Sequence, residues 1–126
     1  MSHFTKMKTE IRDIQALEFA CRELGLDLLK DYPARGYTGK LLSADYVIKL
    51  KGPYDIALSL GRTNTYTLTT DWYNGHVEKE VGKRAERLLQ HYAVHAATLA
   101  ARKQGYAVER RQMEDGSIKL ICRVGG

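Results

Sequence analysis

The chain has 126 residues, of which 44% are hydrophobic and 28% charged, enough for one domain with its own core and unlike a disordered chain. The net charge of +5 is uneven: residues 1–75 carry 10 Lys and Arg against 9 Asp and Glu, and residues 76–126 carry 10 against 6. That balance modestly favours an anionic partner, and the absence of any apolar run near the roughly 20 residues of a spanning helix excludes helical membrane insertion.

The opening residues are polar and are expected to belong to the mature protein. Residues 3–11 predict a first strand, with Met7, Thr9 and Ile11 on one face and Phe4 on the other. Asp13 is a suitable N-cap for a helix whose apolar face is Ile14, Leu17, Cys21 and Leu24, and Gly25 ends it. Leu26 to Tyr32 reads as a short strand stopped by Pro33, which cannot donate to a ladder. Arg35-Gly36-Tyr37-Thr38-Gly39-Lys40 is an irregular connection rich in glycine and cations.

Three alternating segments follow. Tyr46, Ile48 and Leu50 mark the first; Tyr54, Ile56, Leu58 and Leu60 the second; Tyr66, Leu68, Thr70 and Trp72 the third. Their connections are too short for parallel crossovers, so an antiparallel meander is expected. After Asn74-Gly75, residues 77–103 read as one long amphipathic helix. Val81, Ala85, Leu88, Leu89, Tyr92, Ala96 and Leu99 fall within one arc at helical spacing. Gly105 ends it, and a last hairpin turns at Asp115-Gly116 in type I′ form, with Ile118, Leu120, Cys122 and Val124 as its apolar side.

The order β-α-β-β-β-β-α-β-β implies a single α+β domain over residues 1–126, with two helices on one face of a mainly antiparallel sheet. The aromatics Tyr46, Tyr54, Tyr66 and Trp72 are assigned to the helix-covered face. The opposite face is expected to present Asp45, Lys49, Lys51, Asp55, Ser59, Thr65, Thr67, Thr69 and Asp71 to solvent. Cys21 and Cys122 both fall on apolar faces, as buried reduced thiols of a cytosolic protein would.

The Arg35–Lys40 segment lacks the Gly-x-x-x-x-Gly-Lys-[Ser/Thr] spacing of a phosphate loop, and a strand rather than a helix follows it. Its bland reading is a connection whose glycines take positive φ. Its functional reading is a protein contact, because Arg and Tyr are interface-rich residues. Asp45, Asp55 and Asp71 could meet on the open face, although turn-holding roles and pairing with Lys49 or Lys51 are the ordinary expectation. His91 and His95 have metal-compatible i, i+4 spacing, but no glutamate of a His-Glu-x-x-His motif lies between them and cations surround them. Lys83, Arg84, Arg87, His91, His95 and Arg102 share the polar arc of the predicted helix. They form either a solvated face or a basic stripe that meets phosphate or an acidic protein. Ser2, Ser43, Ser59 and Ser117 have no histidine in a nucleophile motif, and His3 stands alone near the terminus.

Several pieces together resemble one family. They are Ser2-His3-Phe4-Thr5-Lys6, Arg35-Gly36-Tyr37-Thr38-Gly39, Ala44-Asp45, Tyr54-Asp55-Ile56, Asp71-Trp72, the Tyr92 helix and Glu114-Asp115-Gly116-Ser117-Ile118. Nearly the whole chain resembles the hypothetical chloroplast reading frame thirty-five family of plastids, cyanobacteria and other bacteria. Ala57 and Tyr73 depart from it, where glycine and a second tryptophan are expected. The resemblance implies a small protein of bacterial cytoplasm or plastid stroma, and no reaction, cofactor or catalytic residue.

The functional expectation is a non-enzymatic accessory protein, without cofactor or metal, that binds within a larger protein assembly. Arg35, Tyr37 and Lys40 would touch the partner, with Asp71 and Trp72 supporting the same edge. The alternative is a nucleic-acid-binding module using Lys83, Arg84, Arg87, His91, His95 and Arg102 on helix 77–103; a small enzyme or metal site using His3, Asp45, Asp55 or Asp71 ranks third.

Overall fold

The computed structural model describes residues 3–124, so Ser2 of the opening motif lies outside the described residues. Strand β1 (Thr5–Lys8) leads to helix α1 (Ile14–Glu23) and strand β2 (Asp27–Lys30). A small hairpin, β3 (Ala34–Arg35) and β4 (Leu41–Leu42), precedes the meander β5 (Tyr46–Lys49), β6 (Ile56–Leu60) and β7 (Tyr66–Thr70). Helices α2 (His76–Val81) and α3 (Glu86–Lys103) follow, then strands β8 (Tyr106–Gln112) and β9 (Ile118–Val124). The fold is α+β, as the alternation and spacing indicate.

The main sheet has the order β1-β7-β6-β5-β2, with every neighbouring pair antiparallel. β1 is shorter than its sequence pattern suggests. Thr9 Oγ1 donates to the Tyr66 carbonyl at 2.6 Å and accepts from the Ile11 N–H at 3.1 Å, which turns the chain out of the ladder toward α1. Asp13 caps α1 through the N–H groups of Gln15 and Ala16. Tyr92 Oη accepts from the Arg12 and Asp13 N–H groups at 2.9 and 3.0 Å, tying α3 to the start of α1.

The helix-facing side of the sheet contributes Ile48, Ile56, Leu58 and Leu68, all fully buried, against Leu17, Val77 and Leu88. Each such side chain contributes about 1.5–3 kcal/mol by leaving water. Tyr54 and Tyr66 are buried in this core, and Tyr46 and Trp72 pack at its margin.

Three expectations change. First, the opposite sheet face is not open throughout. Ala34, Val47 and Ala57 form a second buried cluster, with Leu42 and Ala44 packed on it, because the β3–β4 segment folds over the sheet. Asp55, Thr69 and Asp71 are buried in consequence, while Asp45, Lys49, Lys51 and Ser59 remain exposed.

Second, residues 77–103 are not one helix. Gly82 has φ +89°, and a Cβ there would lie 2.9 Å from the Arg87 nitrogen, so only glycine fits. Arg84 (φ +53°) and Ala85 (φ +61°) also take left-handed backbone, which separates α2 from α3. Val81, Ala85, Leu88 and Tyr92 still reach the core across this break, which is why the apolar spacing runs through it unbroken.

Third, the last hairpin is not type I′. Gly116 has φ +89°, but Asp115 is not left-handed, and Met113 and Ser117 close a longer loop through an N–H to carbonyl bond of 2.9 Å. The β8–β9 ribbon rests on α3, yet Cys122 is exposed on it. Cys21 is buried, and burial followed by the nearby Glu18 charge pushes its thiol up to about 12.

Candidate functional site

The Arg35–Lys40 loop is held from below by one buried carboxylate. Asp55 Oδ2 accepts from the Arg35 backbone N–H at 2.9 Å and from Arg35 Nε at 2.8 Å. Its Oδ1 accepts from Arg35 Nη2 at 2.8 Å and from the Leu50 N–H at 3.0 Å. Arg35 Nη2 also donates to the carbonyls of Leu50 and Gly52, at 3.0 and 2.9 Å. One guanidinium thus joins the loop, the end of β5 and the following turn. Burial pushes the Asp55 carboxyl up, but the bonds from Arg35 and Leu50 outweigh it and hold the group below the usual carboxylate range. The Arg35 side chain is partly exposed, but its Nε and Nη2 are committed inward.

The glycines of this loop do different work. Gly36 has extended backbone, and its need is space: a Cβ would meet the Phe4 ring at 2.5 Å. Gly39 has φ +77° and open surroundings, so its need is conformational. Thr38, between them, is also left-handed at φ +57°.

A second carboxylate fixes the far side of the loop. Asp71 is buried, and it accepts from the Tyr73 N–H at 3.0 Å and the Tyr37 N–H at 3.4 Å. The Tyr37 and Tyr73 rings pack with centroids 4.9 Å apart. The structure therefore brings Arg35, Tyr37 and Asp71 into one construction, and Trp72 follows directly on it. The rim above is exposed at Thr38, Lys40, Leu41 and Tyr73, with Leu41 at 64% and Tyr73 at 43%.

The six basic candidates do not share one face. Lys83 and Arg84 lie in the turn between α2 and α3 and line a cleft of about 650 Å³ with β1 and Trp72. Arg87 Nη1 donates to the Glu80 carbonyl at 3.3 Å. His91 and His95 face Glu23, with their Nε2 atoms 3.4 and 2.8 Å from its carboxylate. Arg102 is in the last turn of α3, about 24 Å along the axis from Glu86.

Glu23 is the hub of that third group. Arg110 on β8 donates to both its oxygens, at 3.0 and 2.7 Å. The Arg110 bonds are the largest influence on Glu23; partial burial opposes them, and with help from His95 and His91 they hold the carboxyl at about 2. This cluster fastens the β8–β9 ribbon to α1 and α3.

The remaining candidates stand apart. Asp45 Oδ2 accepts from the Leu60 N–H at 2.8 Å, across the β5–β6 pair at the end away from its connecting turn and apart from Asp55 and Asp71. His3 is exposed. Among the described residues, no three His, Cys, Asp or Glu side chains gather where a metal ion could be held.

Sequence reasoning missed Lys6 and Lys8 beside the cleft, Glu23 as a hub, and Glu80. Glu80 accepts from the N–H groups of Lys51 and Gly52 at 2.8 and 3.0 Å and so ties α2 to the β5–β6 turn. Only Lys6 and Lys8 left a local signal, as charges alternating on a strand that could be an edge.

No helix among the described residues is long and apolar enough to cross a membrane. The chain is 30% identical over 125 residues to the "Uncharacterized protein ycf35" of Guillardia theta, covering 98% of this chain and 97% of that protein. It is also 30% identical over 126 residues to the protein of the same name from Pyropia yezoensis, with the same coverage. No solved structure matches. Residues 20–121 match the family described as "Protein of unknown function (DUF1257)", and with these near full-length relatives they establish that the chain belongs to that family.

Proposed function

We propose that this protein is a non-enzymatic binding protein that acts within a larger protein assembly and presents the Arg35–Lys40 loop to a partner. One observation supports this most: an exposed rim of Lys40, Leu41 and Tyr73 stands on a backbone fixed by two buried carboxylates, Asp55 and Asp71. A loop already ordered loses little entropy on binding, so its contacts convert efficiently into affinity. An exposed tyrosine packed on Tyr37, and an exposed leucine next to a lysine, suit a protein surface. Arg35 acts here as a strut beneath the contact, and the touching residues are Tyr37, Lys40, Leu41 and Tyr73.

The test is recovery of partners at native expression. Lys40→Glu with Leu41→Asp changes only the rim, and thermal denaturation checks that the fold is kept. Loss of a partner that the wild-type protein recovers is the expected result. Equal recovery by both proteins would show that the loop is not the contact.

A further inference from the structure

Strand β1 is the outer strand of the main sheet, hydrogen-bonded on one side to β7 and on its other side to no strand among the described residues. Antiparallel geometry points the N–H and C=O of alternate residues away from the partner, so half of β1's backbone groups face outward. All four β1 residues line the 650 Å³ cleft, which lies between this edge and the turn joining α2 to α3. Lys6 and Lys8 line it from the strand, on the sheet face opposite Met7, and Lys83 and Arg84 line it from the turn on the helix side. One carboxylate, Glu78, shares the lining. None of the four cations forms an ion pair among the described residues.

Lysines on an edge strand are a common protection against unwanted pairing, which would account for Lys6 and Lys8 alone. It does not account for Lys83 and Arg84, which reach the same cleft from another element. Their turn holds Gly82, Arg84 and Ala85 at positive φ. Trp72 adds an apolar wall at the end of the strand.

We propose that this cleft docks an extended, acidic segment of a partner protein as an added strand beside β1. The outward backbone groups of β1 would pair with the segment's backbone, Lys6 and Lys8 with carboxylates on one face of the added strand, Lys83 and Arg84 with those on the other, and Trp72 with an apolar side chain. A nucleic-acid strand would use the cations but would leave the backbone edge unpaired. This inference shares the protein-binding character of the reading above but uses a different surface, so each can fail alone.

Trp72 is the only tryptophan of the sequence and reports on the cleft by its own fluorescence. The probe is an acetylated peptide with valine at every third position and glutamate between, which puts carboxylates and valines on both faces of an added strand, titrated against the whole protein at low salt. A saturable change in Trp72 emission is expected, weakened about tenfold or more by Lys83→Glu with Arg84→Glu and by raised salt. Methylating the backbone nitrogens of alternate residues, in both phases, should abolish binding in the phase that removes the donors facing β1. The rim variant Lys40→Glu with Leu41→Asp should bind the peptide normally. No saturable change at millimolar peptide overturns the proposal. So does unchanged binding of both methylated peptides, or equal affinity for an oligothymidylate of the same charge, since either would show that charge alone is recognised.

Discussion

Two arginine–carboxylate pairs fasten two appendages to the same body, and they do so under different conditions. Arg35–Asp55 holds the β3–β4 loop, with a carboxylate that is fully shielded from water and four bonds converging on it. Arg110–Glu23 holds the β8–β9 ribbon, with a carboxylate whose side chain is 32% exposed and two histidines beside it. The geometry is similar: both arginines reach both oxygens. Solvent makes the difference. A shielded charge cannot lose its partner without being stranded, whereas an exposed one is rehydrated. The loop is therefore bound to the fold, and the ribbon is attached in a way that pH and salt can loosen.

The largest test of this contrast is Arg35→Ala. It leaves Asp55 buried with only backbone donors and should cost about 3 kcal/mol, the low end for a broken buried pair because the guanidinium is itself partly exposed. Denaturant unfolding would measure it, and a loss under 1 kcal/mol would show that the pair does not hold the loop. Arg35→Lys sharpens the point. It keeps the charge but cannot reproduce the fork that reaches Asp55 and the Leu50 and Gly52 carbonyls together. A cost of about 1–2 kcal/mol is expected, with the same unfolding measurement.

Glu23→Gln addresses the other pair. The expected cost is about 1 kcal/mol, because the group is partly solvated. Hydrogen exchange should speed up in β8 and β9 more than in the main sheet. Uniform acceleration would mean that the ribbon unfolds only with the whole. The acid arm has a definite sign. Glu23 is held at about 2 against an ordinary 4.5, so its stabilisation is complete above about 4.5 and is lost as pH falls toward 2. The stability gap between wild type and Glu23→Gln should therefore narrow over that interval. A gap that stays constant through it would remove the ion pair as the cause.

The contrast also explains what the sequence disclosed. The meander, the Asp13 cap, the α1 stripe and the position of the last turn are local patterns, and each was legible from spacing. Both arginine pairs join residues far apart in sequence: Arg35 and Asp55 are 20 apart, Glu23 and Arg110 are 87 apart. No local periodicity carries such pairing. The folding of β3 and β4 over the sheet did leave a trace. Val47 and Ala57 stand on the face otherwise read as polar, and small apolar residues there need a cover. The break at Gly82 was hidden for the opposite reason, because the core accepts Val81 and Ala85 on either side of a kink as readily as on one helix. Of the site, Tyr37 and Asp71 were legible as neighbours of a distinctive loop, while Lys6 and Lys8 needed the strand order to place them beside Lys83 and Arg84.

The smallest expected effect is the most informative about function. If Arg35 is the strut and the rim is the contact, stability and binding should separate within one loop. Lys40→Glu with Leu41→Asp touches two exposed side chains that make none of the anchoring bonds, and its stability should lie within about 0.5 kcal/mol of wild type. Arg35→Ala should weaken partner recovery only as far as it unfolds or loosens the loop, so cooling or a stabilising osmolyte should restore much of it. The rim variant should gain nothing from either treatment, because its fold was never in deficit. Recovery of the rim variant by cooling would place the contact elsewhere, and would make the loop a structural brace, as the Glu23–Arg110 pair makes the ribbon.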